Sequence, residues 1–316
     1  MISLNTVILK MQCINNSINL TNGFLRTKKP VDSYDRIPLF YHVPKNAGTY
    51  FISIMILYLR LFRRERTSWL ESSHETIKNI EVFHNKKSIG RIIAADPHNE
   101  VKKFFKTKDP AQVYFPVELK KIPKDFFSKI FIFGIIIEPD GFLEDNKIIE
   151  LFNYYKFRFV KSLILRNPYE RARSFYNYIV DDMSKHEWTH GLITGNNFEE
   201  YLESGYVEDS WVIRNICGIG DSVPIEEYHL DKANSILMSF NCVDISKTNA
   251  LLDMTFEQCY NYRFRDIPRE WSVNITRNSS SKKDMIDFLD LKEETQKKFL
   301  ERTKYDLDLY KTNVIF

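Results

Sequence analysis

The sequence predicts an α/β protein, a parallel β-sheet flanked by helices and followed by a mainly helical C-terminal portion. Three observations predict it. Apolar, strand-like runs recur near residues 37–43, 89–95, 130–137 and 157–165, and helix-compatible stretches separate them. The last of these runs closes on Leu163-Ile164-Leu165, continuously apolar as in a central parallel strand. Over 316 residues, hydrophobic content of 43% and charged content of 28% are those of a globular chain able to bury one large core. No internal repeat, low-complexity linker or composition shift divides the chain. The simplest division is an N-terminal extension, residues 1–36, and a single α/β domain, residues 37–316.

The first strand is read from Pro38-Leu39-Phe40-Tyr41-His42-Val43, an apolar run bounded by prolines. Pro44 stops it. Phe51 to Phe62 is then apolar almost all round, the composition of a buried helix. Between them, Lys45-Asn46-Ala47-Gly48-Thr49 forms a loop that feeds the helix N-terminus, where backbone N–H groups and the positive helix end favour an anion. Gly48 lets the backbone approach a phosphate, Lys45 adds a full charge and Thr49 adds a hydroxyl donor. An ordinary strand–helix turn with a surface lysine is the alternative. The common NTPase loop requires Gly-Lys-Ser/Thr, and the segment contains none.

Arg91-Ile92-Ile93-Ala94-Ala95 predicts a further strand, which would place Asp96 and His98 at the carboxyl edge of the sheet. Glu138 follows the apolar run of 130–137 in the same way. His42, inside the first strand, reads as a packed residue beside the loop. The strand Phe157–Leu165 ends on Arg166, at the edge where open α/β sheets bind ligands. Asn167 is a good N-cap, Pro168 suits the first helical position and Glu170 completes a capping-box-like arrangement. In the helix so opened, Arg171, Ser174 and Tyr178 share one face. Arg166 and Ser174 are therefore placed to clamp a phosphate, the alternative being a well-capped helix with solvated arginines. From about 197 to 260 the pattern is mainly helical, and 291–311 reads as a final amphipathic helix around Phe299, Tyr305, Leu307 and Leu309.

Taken together, Pro44-Lys45-Asn46-Ala47-Gly48-Thr49 and Arg166-Asn167-Pro168-Tyr169-Glu170-Arg171-Ala172-Arg173-Ser174-Phe175-Tyr176 resemble the PAPS-dependent carbohydrate sulfotransferases, in particular the heparan and uronyl 2-O-sulfotransferase branch. The likeness extends more weakly through Phe198–Leu202, Arg214–Gly218 and Val273–Asn278. Asn46 stands where the family has Thr, and Asn167 where it has Asp. The resemblance implies a P-loop-like sheet and PAPS (3′-phosphoadenosine 5′-phosphosulfate) as cofactor. It implies that Lys45, Asn46, Ala47, Gly48, Thr49 and Tyr50 hold the 5′-phosphosulfate and that Arg166 and Ser174 hold the 3′-phosphate. The reaction implied is in-line transfer of the sulfuryl group to a glycan hydroxyl, with Lys45 facing the charge that develops on the leaving phosphate. His98 is the general base that the resemblance favours, with Asp96 and Glu138 as alternatives. No metal is expected.

A net charge of +3 argues against a dedicated nucleic-acid binder. Local basic clusters (Arg60 to Arg66, Lys102 to Lys108, Lys120 to Lys124) read as solvated faces, or as collectors of an anionic carbohydrate acceptor. His186 and His190 read as surface-loop residues, or as acceptor contacts. The four cysteines, Cys13, Cys217, Cys242 and Cys259, show no metal-site spacing. No apolar run has the length needed to span a membrane, and the N-terminus makes no signal peptide. A cytoplasmic location is expected. Two rival readings remain: a P-loop-type kinase or NTPase using ATP and magnesium, and a noncatalytic glycan- or nucleotide-binding module of the same fold.

Overall fold

The computed structural model describes residues 36–48, 50–52, 54–56, 76–96, 112–114, 131–138, 143, 146–182, 197–203, 210–220, 222–260 and 286–314. The N-terminal extension lies outside them except for Arg36. Seven strands form one sheet: β1 (Arg36–Tyr41), β2 (Thr76–His84), β3 (Lys87–Asp96), β4 (Gln112–Tyr114), β5 (Phe131–Ile137), β6 (Arg158–Leu165) and β7 (Phe240–Asp244). The helices are α1, seen at residues 48, 50–52 and 54–56, then α2 (Lys147–Tyr154), α3 (Pro168–Asp182), α4 (Phe198–Glu203), α5 (Trp211–Cys217), α6 (Glu227–Leu237), α7 (Thr248–Tyr260) and α8 (Glu293–Asn313).

Every residue of β1 from Ile37 to Tyr41 is buried. Burying side chains of this size stabilises by about 1.5–3 kcal/mol each, whereas strand propensities span only about 1 kcal/mol. Packing therefore decides the element. Strand order is β4-β2-β3-β5-β1-β6-β7, with β1 in the interior of the sheet. β1 pairs in parallel with β5 and with β6, and β6 in parallel with β7. The predicted parallel core is thus present, and helices cover both faces. Phe40 stacks on Phe51 of α1 with ring centroids 4.1 Å apart, and Ser162 shares a hydroxyl hydrogen bond of 2.8 Å with Thr255 of α7. The alternate residues of the same strands, among them Leu39, Tyr41, Ile137 and Leu163, share a core with α2, α5, α6 and α8.

Three findings differ from the sequence reading. β3 is antiparallel to both β2 and β5. Its end, at Ala95, pairs with Phe131 at the start of β5, so Asp96 lies at the amino edge of the parallel block. β5 rises about 20 Å from Phe131 to Ile137. The expectation that Asp96 follows a strand end at the carboxyl edge therefore fails, and the start of β3 occupies that edge instead; His98 lies outside the described residues. The reason is the hairpin that joins β2 to β3. His84 pairs with Lys87, and Asn85 and Lys86 both take positive φ, 50° and 65°, as a tight two-residue reversal requires. Secondly, the mainly helical stretch contains β7, added in parallel to the β6 edge. Finally, the terminal helix is Glu293–Asn313, and its buried positions include Thr303 and Asp306 in place of the expected Leu307.

Candidate anion-binding site

The carboxyl ends of β5, β1, β6 and β7 lie side by side, since Tyr41 pairs with both Ile137 and Leu163, and Leu165 with Asp244. The loop after β1 is wound tightly. Lys45 and Ala47 adopt positive φ, 65° and 57°, a conformation that costs a residue with a Cβ about 1–2 kcal/mol. Such strain, held by the surrounding structure, is a pointer to function. The first α1 hydrogen bond runs from Phe51 N to Ala47 O at 2.9 Å. The amides of Gly48 and Tyr50 therefore precede the first complete turn and belong to the helix end that attracts anions.

The two motifs meet at this edge. Arg166 Nη1 donates to the Lys45 carbonyl at 3.2 Å, across 121 residues of sequence, and its Nη2 lies 3.4 Å from Glu170 Oε2. Lys45 Nζ sits 3.0 Å from the centroid of the Tyr178 ring on α3, a cation–π contact that ties the loop to the second helix. Burial lowers the Arg166 guanidinium below its ordinary value, and Glu170 opposes that. Arg166 Nε is buried without a hydrogen-bond partner among the described residues. Ser174 is half-buried on the same helix. A strained loop ahead of a helix, a lysine and an arginine with an unspent buried donor together suit a ligand carrying phosphate groups.

Several residues do other work than expected. Asn46 is buried, and its side-chain amide donates to the Ile164 carbonyl at 3.0 Å, stapling the loop to β6. The Tyr50 hydroxyl donates to Asn249 Oδ1 on α7 at 2.8 Å. The space where a Gly48 side chain would stand is filled by the His42 ring, so that position is not left open for a phosphate. Asn167 caps α3 as predicted, its Oδ1 accepting from Tyr169 N at 2.9 Å. Glu170 does not close a capping box, because its carboxylate turns to Arg173 at 2.6 Å as well as to Arg166. Arg171, expected on the face shared with Ser174 and Tyr178, lies with its guanidinium 4.9 Å from the Trp211 ring. Arg214 donates to the carbonyls of Gly220 and Val223, both at 2.7 Å, and so closes a turn. His98, Thr49, His186, His190 and Val273–Asn278 lie outside the described residues.

Glu138 reaches the carboxyl edge, as its strand predicted, and forms a cluster the sequence did not disclose. Its Oε2 is 2.7 Å from His42 Nδ1, and its Oε1 is 3.0 Å from Arg91 Nε. Burial alone would raise the Glu138 carboxyl, yet His42 and Arg91 bring it below its ordinary value. Arg91 is supplied by the antiparallel strand; a charged residue just after Gly90 in an otherwise apolar run was the available signal. Asp244, ending β7 beside Leu165, accepts from Ser246 N at 2.9 Å and from the Tyr310 hydroxyl at 2.8 Å. Burial would raise its carboxyl too, but these donors hold it below the usual range.

No protein-family model matches the chain, and no curated protein matches it at a significant level.

Proposed function

We propose that this protein is a sulfotransferase that moves the sulfuryl group of PAPS to a carbohydrate hydroxyl. The reading rests on the two motifs and on one observation, the junction of those motifs through the Arg166–Lys45 hydrogen bond. PAPS, when bound, supplies a sulfuryl group on a phosphate leaving group. Lys45 and the amides at the start of α1 bind and neutralise the phosphate that departs, so that charge is stabilised where it develops. Arg166 and Ser174 bind the second phosphate of the nucleotide and fix its register against the loop. Glu170 and the Lys45 carbonyl orient the arginine, leaving Nε for the ligand. The resemblance would give the acceptor proton to His98, which lies outside the described residues, but Asp96, two residues before it, stands at the amino edge, away from the anion loop. Glu138 stands at the appropriate edge but is committed to His42 and Arg91.

Calorimetry tests the reading. PAP, the desulfated cofactor, is expected to bind without metal, and Arg166→Ala to weaken it at least tenfold, the effect of about 1.4 kcal/mol. Preference for ATP with magnesium would replace the sulfotransferase with a kinase or NTPase. Binding of neither nucleotide would leave a noncatalytic glycan-binding module.

A further inference from the structure

Gly48 is helical and lies outside the left-handed region, where Gly218 is the glycine with positive φ among the described residues. Its backbone therefore accepts any L-residue, and the requirement for glycine comes from a neighbour. That neighbour is His42: a Cβ on Gly48 would overlap Cδ2 and Nε2 of the ring. A histidine ordinarily yields to such a methyl by rotating. Here the opposite side of the ring is pinned, with Nδ1 2.7 Å from Glu138 Oε2, while the other Glu138 oxygen lies 3.0 Å from Arg91 Nε. Phe40 lies on one flank, its ring stacked at 6.4 Å between centroids. The carboxylate, the arginine of the antiparallel strand and the imidazole form a brace from β3 through β5 to the loop.

We propose that His42 is the positioning residue of the anion site. Locked by Glu138 and Arg91, its ring bears on Gly48 and fixes the amides at the start of α1 in their anion-binding arrangement. This inference rests on the loop's holding a phosphate group, as the sulfotransferase reading requires, but not on the nucleotide being PAPS. It accounts for three residues that the proposed transfer chemistry leaves unused. It also gives a carboxylate held below its ordinary value a role in shaping the site instead of accepting a proton.

The test is a double-mutant cycle on affinity. His42→Ala is the background, because truncation at Cβ removes Cδ2 and Nε2, the atoms that a Gly48 side chain would overlap. PAP and inorganic pyrophosphate are titrated in parallel, with thermal unfolding monitored for each variant. Gly48→Ala alone is expected to weaken PAP at least tenfold. In the His42→Ala background the same change is expected to cost less than threefold. Should Gly48→Ala fail to fold, Glu138→Ala, which frees the ring without any overlap, is expected to weaken PAP about tenfold in a protein that still unfolds cooperatively. The same coupling with pyrophosphate, in a protein with no preference for PAP, would uphold the brace and remove the sulfotransferase. An equal cost of Gly48→Ala in both backgrounds, or unchanged affinity in Glu138→Ala, overturns the inference whichever ligand binds. A wild-type protein that binds neither ligand overturns both.

Discussion

Glu138 shows how a single buried carboxylate ties stability to pH. Its folded value lies below the ordinary one because His42 and Arg91 outweigh burial. The carboxylate's contribution is therefore present above the unfolded value, about 4.3, and is lost as pH falls through the lower folded value. Glu138→Gln removes the charge, so the stability gap between wild type and variant should narrow on acidification below about pH 4.3. Thermal unfolding of both proteins at pH 7 and in the acid range measures this; a gap independent of pH would show that the cluster acts by packing instead of charge. The residues of the site were legible to different degrees. Arg166 stood out because a cation ending an apolar strand contradicts its run, and Lys45 because it sits in a short loop that opens a helix. Asn46 and Tyr50 enter as ligand contacts through the resemblance, which does not say which way either side chain turns. His42 was legible as a residue packed beside the loop, but its cluster with Glu138 and Arg91 was not, because groups brought together from three strands leave no local spacing to recognise.

At the scale of elements, apolar runs gave β1, β3, β5 and β6, and cap chemistry gave α3, because those signals are local. Strand direction is not local. β3 was assigned the wrong edge for want of a turn signal, since Asn85-Lys86 lacks the glycine that usually marks a two-residue hairpin. Lys86, at φ 65°, bears a Cβ in a conformation that glycine adopts freely. Lys86→Gly should therefore raise stability by about 0.5–1 kcal/mol, measurable as a higher denaturant midpoint. β7 was missed because five residues between two helices carry too short a pattern. In α8 the buried stripe contains Asp306, fully enclosed and accepting from Val212 N and Ile213 N of α5, both at 3.0 Å. Burial pushes its carboxyl up, with those amides and Arg171 opposing. Asp306→Ala strips the α5 amides of their acceptor, and equilibrium unfolding should show a loss of about 2 kcal/mol. A change within 0.5 kcal/mol (about the scatter of surface substitutions) would show that water replaces the carboxylate.

At the scale of the whole molecule, the six described strands other than β3 run one way, so loops from distant parts of the sequence gather at one edge. The proposed reaction draws its charge stabilisation from side chains and helix amides at that edge. PAP binding is accordingly expected to be unchanged by excess EDTA, and a large loss of affinity in chelator would refute that account. No helix among the described residues is long and apolar enough to cross a membrane.

The position of β1 also matters while the chain is being made. Among the described strands it is the first to leave the ribosome and is buried on both faces, yet its partners are residues 131–137 and 158–165. At about 5–20 residues per second, the nearer partner follows roughly 5–20 s later. During that interval neither of its partners in the sheet has been made. The same arrangement that later shelters the anion loop at the centre of the sheet makes the nascent protein a client for whatever binds exposed strands.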